Sequence, residues 1–375
     1  MHSLAQMKSA SYLDFNVANP EESPTDTVSS ISWTPNGNTL IFATSDWASF
    51  IRIYNIDPDA STLTQQACFD AQSPCLCVKW HEDEKTVFAG CTDGSVKSYD
   101  VVSGNCSVIG KHEGPVKSAH WLSSSKTLLT LSFDKTVRFW DPRQIEPVAM
   151  HRLDHKVYCS DVVFPYLAIG LSDAKCMVVD LQKAEAELRN HESYLDSPLG
   201  RKAQITAIKL VSGEKFGLAI SGNDGRCNIS NFQTSGDGSL KLSSLMTFKC
   251  HQVDTIASGN SKQTLYPVNT IGFHPYHGSD FVYTSGGEGS MYFWDIKQKQ
   301  KTVDFNFDEL PVTQAEFDPT GKYMAYSLGY DWARGIQGYM SQPSKICVHR
   351  IQENELTYGY EGNSNYPLRY YSIGI

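Results

Sequence analysis

No apolar run in this chain approaches the ~18 residues that a membrane-spanning helix needs. Met1 to Phe15 likewise has no apolar stretch long enough for a signal peptide, so spanning and secretion are both disfavoured. Positive charge is also scarce: 32 Lys and Arg stand against 41 Asp and Glu, a net charge of -9. Wholesale nucleic-acid binding rests on phosphate neutralisation by Lys and Arg, so any such contact must be local. The ten cysteines show no paired zinc spacing. Cys75-Leu-Cys77 is a strand alternation with both thiols on one face, and the others are scattered, which suits a reducing compartment. There is no HExxH, no P-loop, no nucleophile elbow and no pair of carboxylates, so no metal, cofactor or enzyme activity is expected. His81-Glu-Asp-Glu84 comes nearest and reads as a polar turn.

What the chain does have is a repeated unit. Leu131-Ser-Phe-Asp-Lys-Thr-Val-Arg-Phe-Trp-Asp-Pro142 reads as a turn followed by a strand that closes on Trp140-Asp141. That is the signature half of a WD repeat. Its polar residues can form one buried relay: the Trp140 indole to the Ser132 hydroxyl, Ser132 to His112, and His112 to the Asp134 carboxylate. Each group buried alone would cost roughly 1 to 3 kcal/mol, so their joint presence argues for a network. Ser, His and Asp together suggest a catalytic triad on paper, but the reading here is structural. Seven segments open such units: Val28 to Trp33, Cys75 to Trp80, Val116 to Trp121, Val157 to Val162, Ile205 to Leu210, Val268 to Phe273 and Val312 to Phe317. Their spacing, 47, 41, 41, 48, 63 and 44 residues, is close to the roughly 40 to 45 of a four-stranded blade. With 41% hydrophobic and 11% aromatic residues, the expected fold is all-β: a seven-bladed WD-repeat β-propeller.

The organisation expected is an N-terminal segment over 1–24, a propeller over 25–350 and a tail over 351–375. Tyr12-Leu-Asp-Phe-Asn-Val17 alternates like a strand and is the candidate to close the ring by completing the last blade. The long interval is an insertion at Val253 to Thr264, rich in polar residues and read as a surface loop. Lys183 to Ser197 reads as a charged, helix-tolerant connection. Blade three carries the complete relay. Blade one departs from it at Asp46-Trp47-Ala48, blade two ends on Tyr99 in place of Trp, and blade four lacks the aromatic end. The glycines of Thr284-Ser-Gly-Gly-Glu-Gly289 lie between two strands with no Lys-Ser or Lys-Thr following, so they are not a phosphate loop.

Phe248-Lys-Cys-His251, Leu265-Tyr-Pro-Val-Asn269, Phe273-His-Pro275 and Phe293-Trp-Asp295 resemble a stretch shared by two related groups. These are the nuclear-pore mRNA export propellers and the spindle-checkpoint propellers that bind Bub-type kinases. Tyr326-Ser-Leu-Gly-Tyr-Asp-Trp-Ala-Arg-Gly335 resembles the Tyr-Asp-Trp-x-x-Gly motif of the export group, which favours it; the checkpoint adaptor is the alternative. The resemblance implies a monomeric, non-enzymatic propeller within a heteromeric complex at the nucleus, nuclear envelope and pore. Such a protein binds the GLEBS segment of an FG nucleoporin, takes part in mRNA export and also serves in spindle assembly. It also implies site residues. Arg226, after the turn glycine of blade five, would meet carboxylates of the acidic segment. Trp47 would lie in the same groove, with Phe133 at the equivalent place in blade three, where the family usually has Trp. Trp294, Lys299 and Lys301 match an aromatic-basic edge of blade six that suits single-stranded RNA, against a solvated loop as the alternative; Ile296 stands where the family often has Lys.

Overall fold

The computed structural model describes residues 14–356 apart from 145, 190–193, 212–216, 235–239, 258–259, 308–309, 334 and 339–343. The described residues begin with β1 (Asp14–Val17), and the alternating segments then become seven four-stranded antiparallel units. Blade one is β2 (Val28–Trp33), β3 (Ile41–Asp46), β4 (Phe50–Asp57) and β5 (Thr62–Asp70). Blade two is β6 (Cys75–Trp80), β7 (Thr86–Cys91), β8 (Ser95–Asp100) and β9 (Cys106–Lys111). Blade three is β10 (Val116–Leu122), β11 (Thr127–Ser132), β12 (Thr136–Trp140) and β13 (Ala149–Arg152). Blade four is β14 (Val157–Val163), β15 (Tyr166–Leu171), β16 (Lys175–Asp180) and β17 (Tyr194–Asp196). Blade five is β18 (Ile205–Val211), β19 (Gly217–Gly222), β20 (Arg226–Thr234) and β21 (Leu240–Lys249).

Two strands outside any blade, β22 (Gln252–Ala257) and β23 (Asn260–Leu265), pair with each other as a separate hairpin. The insertion expected as a loop is therefore a β-hairpin: its Val, Thr and Ile residues support extended backbone despite the polar composition. Blade six is β24 (Val268–His274), β25 (Gly278–Gly286), β26 (Ser290–Asp295) and β27 (Gln300–Asn306). Blade seven contributes β28 (Val312–Phe317), β29 (Tyr323–Leu328) and β30 (Lys345–Arg350). Likewise, the connection expected over Lys183 to Ser197 holds a short helix, α1 (Ala184–Arg189), and then β17, the outer strand of blade four.

Ring closure falls to β1. It pairs antiparallel with β30, Asp14 opposite His349 and Phe15 opposite Val348, and so becomes the fourth strand of blade seven. Its far end pairs in parallel with β5, Asn16 opposite Thr62 and Val17 opposite Leu63, so one strand joins blades seven and one. Phe15 is buried there among Tyr323, Ile346, Val348 and Leu63. Tyr12 and Leu13 of the expected strand, and tail residues 357–375, lie outside the described residues.

The second strands and the turns after them repeat one geometry. The residue after the strand donates its N–H to the carbonyl just before the blade's first strand: Trp47 to Thr27, Phe133 to Pro115, Asn223 to Gln204 and Gly287 to Pro267, at 3.0 to 3.1 Å. Two residues on, the backbone turns left-handed, at Ser49, Gly94, Lys135, Gly225 and Gly289. At Gly225 only glycine fits, because a Cβ would come within 2.4 Å of the His251 carbonyl oxygen. Neighbouring blades are tied by indoles of the first strands. Trp33 Nε1 donates to the Glu316 carbonyl and Trp80 Nε1 to that of Ser32, each at 3.0 Å.

Candidate partner-binding face

The turn between second and third strands of each blade, together with the connection to the next blade, gathers at one end of the propeller. Trp47, Phe133 and Arg226 all belong to these turns or to the first residue beyond them. Trp47 is 45% exposed although its backbone is pinned to Thr27. Phe133 is half-buried, edge-on to Tyr158 with ring centroids 6.1 Å apart. It borders a cleft of about 520 Å³ lined also by Leu153, by the cations Lys135 and Arg152, and by the carboxylates Asp134 and Asp154.

Arg226 opens β20 and is the best-defined group of this face. Its Nε donates to Asp224 Oδ2 at 2.6 Å and its Nη2 to the Leu199 carbonyl at 2.7 Å. The guanidinium is thus held in one orientation, and its side chain remains about one-third exposed. Asp224 Oδ2 also lies 2.6 Å from Nη2, and among the described residues Nη1 takes no acceptor.

Sequence reasoning missed Trp332 as a member of this face. It was read only as part of a family-separating motif, yet it is 46% exposed and packs on Tyr330, centroids 5.4 Å apart. Thr27 ties its loop to Trp47: the Thr27 hydroxyl donates to the Tyr330 carbonyl at 2.7 Å, and the Thr27 carbonyl accepts from the Trp47 amide at 3.0 Å. A Trp in a polar turn was the signal available.

The expected relay of blade three exists with one member exchanged. The Trp140 indole donates to Thr130 Oγ1 at 2.7 Å, not to Ser132. Thr130 lies 2.8 Å from His112 Nε2, and His112 Nδ1 lies 3.1 Å from Asp134 Oδ2. Burial lowers the pKa of His112 although Asp134 opposes it, so the imidazole is neutral. A neutral ring uses every proton: indole to hydroxyl, hydroxyl to Nε2, Nδ1–H to carboxylate. Ser132 instead donates to the carbonyls of Gly114 and Pro115 and accepts from the Asp134 amide at 3.1 Å, bracing the turn. Blade one has a different solution, a buried ion pair between Arg52 and Asp46.

Trp294, Lys299 and Lys301 lie toward the opposite end of blade six from these turns, and they do not share a strand face. Trp294 belongs to a second relay, donating to Thr284 Oγ1 at 3.0 Å, with His251 Nε2 also 3.0 Å from that oxygen. Lys299 stands in the left-handed turn between β26 and β27. Lys301, on β27, reaches Asp304 at 2.6 Å and lies 4.3 Å over the Tyr292 ring. The turn at 296–299 separates Lys299 from Lys301 on β27. Nearby, Lys297 pairs with Asp280 at 2.6 Å.

A family model described as "WD domain, G-beta repeat" matches residues 20–55, 63–100 and 104–141. The chain is 31% identical to the mRNA export factor rae-1 of Caenorhabditis elegans over 88% of its own length and 87% of that protein. It is 32% identical to Protein Rae1 of Drosophila melanogaster, covering 86% and 89%. It is 30% identical to the Poly(A)+ RNA export protein of Schizosaccharomyces pombe, covering 92% of each.

Proposed function

Because the chain belongs to the family of WD-repeat mRNA export factors, we propose that it is a non-enzymatic scaffold that binds an acidic GLEBS-type nucleoporin segment and supports mRNA export through the nuclear pore. The observation that carries this reading is Arg226, oriented by Asp224 and Leu199 on the face that also exposes Trp47 and Trp332. An oriented cation between apolar anchors suits an acidic peptide with aromatic or aliphatic residues, since little side-chain freedom is lost on binding. The protein then works as one propeller in a heteromeric complex at the nuclear envelope and pore, with a further part in mitosis. The opposite end of blade six offers Lys299 for single-stranded RNA; Lys301 must first leave Asp304.

The test is a titration of two peptides, a GLEBS segment from an FG nucleoporin and one from a checkpoint kinase, at two salt concentrations. Arg226→Glu places like charges together and should cost several kcal/mol of binding. Tighter binding of the kinase peptide would favour the checkpoint-adaptor reading. Unchanged affinity for Arg226→Glu would sink the proposal.

A further inference from the structure

Immediately beneath Arg226 the chain brings two thiols together. Cys227 is the second residue of β20, and Cys250 follows β21, the strand paired with it. Their sulfurs are 3.4 Å apart, and the Cys250 thiol also faces the Gly225 carbonyl at 3.4 Å. Cys227 is fully buried, whereas Cys250 is partly exposed. A second pair, Cys75 and Cys91, has sulfurs 3.2 Å apart, but both residues are fully buried in blade two. The molecule thus holds two close thiol pairs that differ in access.

We propose that Cys227 and Cys250 form a reactive dithiol, a covalent-modification site for two-electron oxidants of the peroxide class. Cys250 is the attacking sulfur. Burial alone would push its thiol up, but the Cys227 hydrogen bond, the His251 charge and the His251 amide outweigh burial and hold it below the ordinary value. His251 is itself raised: burial opposes its charge, while Cys250 and Glu288 favour it. Burial, followed by the bond to Cys250, keeps Cys227 protonated as the resolving thiol.

The Cys250 thiolate attacks one peroxide oxygen, the O–O bond breaks, and hydroxide leaves, giving a sulfenic acid. The Cys227 sulfur then attacks the Cys250 sulfur, the S–O bond breaks, and the departing hydroxide takes the Cys227 proton as water. Two electrons pass from the two sulfurs to one peroxide, and a thiol reductant reverses the bond. The sulfurs must close from 3.4 Å to about 2.05 Å, which shifts the backbone adjoining Arg226. A consequence for peptide binding rests on the reading of that face given above.

The folded full chain would be treated with hydrogen peroxide, its remaining thiols alkylated, and the digest analysed by mass spectrometry. The expected product is a peptide pair linked Cys227–Cys250, cleaved by reductant and formed ahead of any Cys75–Cys91 link. In Cys227→Ser, oxidation should halt at a Cys250 sulfenic acid that a dimedone probe captures; in Cys250→Ser neither product should form. Oxidation confined to the exposed Cys68 and Cys106, or a Cys75–Cys91 link forming first, would overturn the site. Titration of the reduced and oxidised protein with the nucleoporin peptide reads the coupling separately. Lower affinity after oxidation supports it; unchanged affinity with the link present overturns the coupling alone.

Discussion

His349 on β30 lies 2.7 Å from Asp14 on the closing strand, through Nδ1 to Oδ1, across 335 residues of sequence. Its Nε2 lies 3.0 Å from Glu355 Oε2, and Tyr326 donates to the other Asp14 oxygen at 2.5 Å. One buried imidazole thus fastens the first described strand and the segment beyond β30 to blade seven.

This fastening should make stability depend on pH. Burial disfavours the His349 imidazolium, but its bonds to Asp14 and Glu355 prevail, and the group is pushed up to about 9. A folded pKa above the unfolded value of about 6.5 means the contribution is complete below that pH and is lost as pH rises through 9. Its size is roughly 3 kcal/mol. Thermal melts should show the wild type losing stability between about pH 7 and 10, whereas His349→Gln starts lower and lacks that slope. Parallel curves for the two proteins would refute the assignment.

Closure also rests on packing. Phe15→Ala empties a buried site in the seam between blades one and seven and should cost about 3 to 5 kcal/mol by denaturant unfolding. Deleting residues 1–19 should go further, freeing the edge of β30 and lowering solubility. A truncated chain that is equally soluble and stable would remove β1 from its role.

In blade three, Thr130→Val keeps the volume but strips the acceptor from the Trp140 indole and the donor from His112. Unfolding should show a loss of about 2 to 3 kcal/mol. Ser132→Ala should cost nearer 1 kcal/mol, because it weakens only a turn brace. The reverse order would restore Ser132 to the relay.

Blade one tests buried charge. Asp46→Ala leaves the Arg52 guanidinium, 4% exposed, without its carboxylate and should cost about 3 to 5 kcal/mol. Adding Arg52→Met to that variant should recover much of the loss. Failure of the second change to restore the melting temperature would show that the pair is not what the site requires.

On the proposed binding face, Trp332→Ala should weaken the nucleoporin peptide by about 2 kcal/mol, like Trp47→Ala, because both are exposed indoles tied through Thr27. Neither loss should change with salt, while that of Arg226→Glu should shrink as salt screens it. Calorimetry at two ionic strengths separates them, and full affinity in Trp332→Ala would remove it from the site.

The seven blades were legible in the amino-acid order because burying one face of a strand demands a period of two, and a turn demands a few residue types at set places. Val28–Trp33, Cys75–Trp80 and Val312–Phe317 stand as strands with the bounds their alternation implied. The same logic could not choose between Thr130 and Ser132. They are two apart on one strand and point the same way; only the register, Leu128 opposite Trp140 and Thr130 opposite Arg138, brings the indole to Thr130. Composition misjudged the insertion, whose two halves become strands by pairing with each other. Nor did the order of residues show that Lys299 stands in a left-handed turn while Lys301 lies on the strand after it. What the order of residues determined by itself was the repeat, and with it the number of blades and the end at which Trp47, Phe133 and Arg226 emerge. What only the tertiary structure decided were the contacts between distant segments: Asp14 with His349, Arg226 with Leu199, Cys227 with Cys250. Periodicity is a property of neighbours along the chain, whereas these pairs exist only because closing the ring and stacking the sheets brings separate strands within bonding distance.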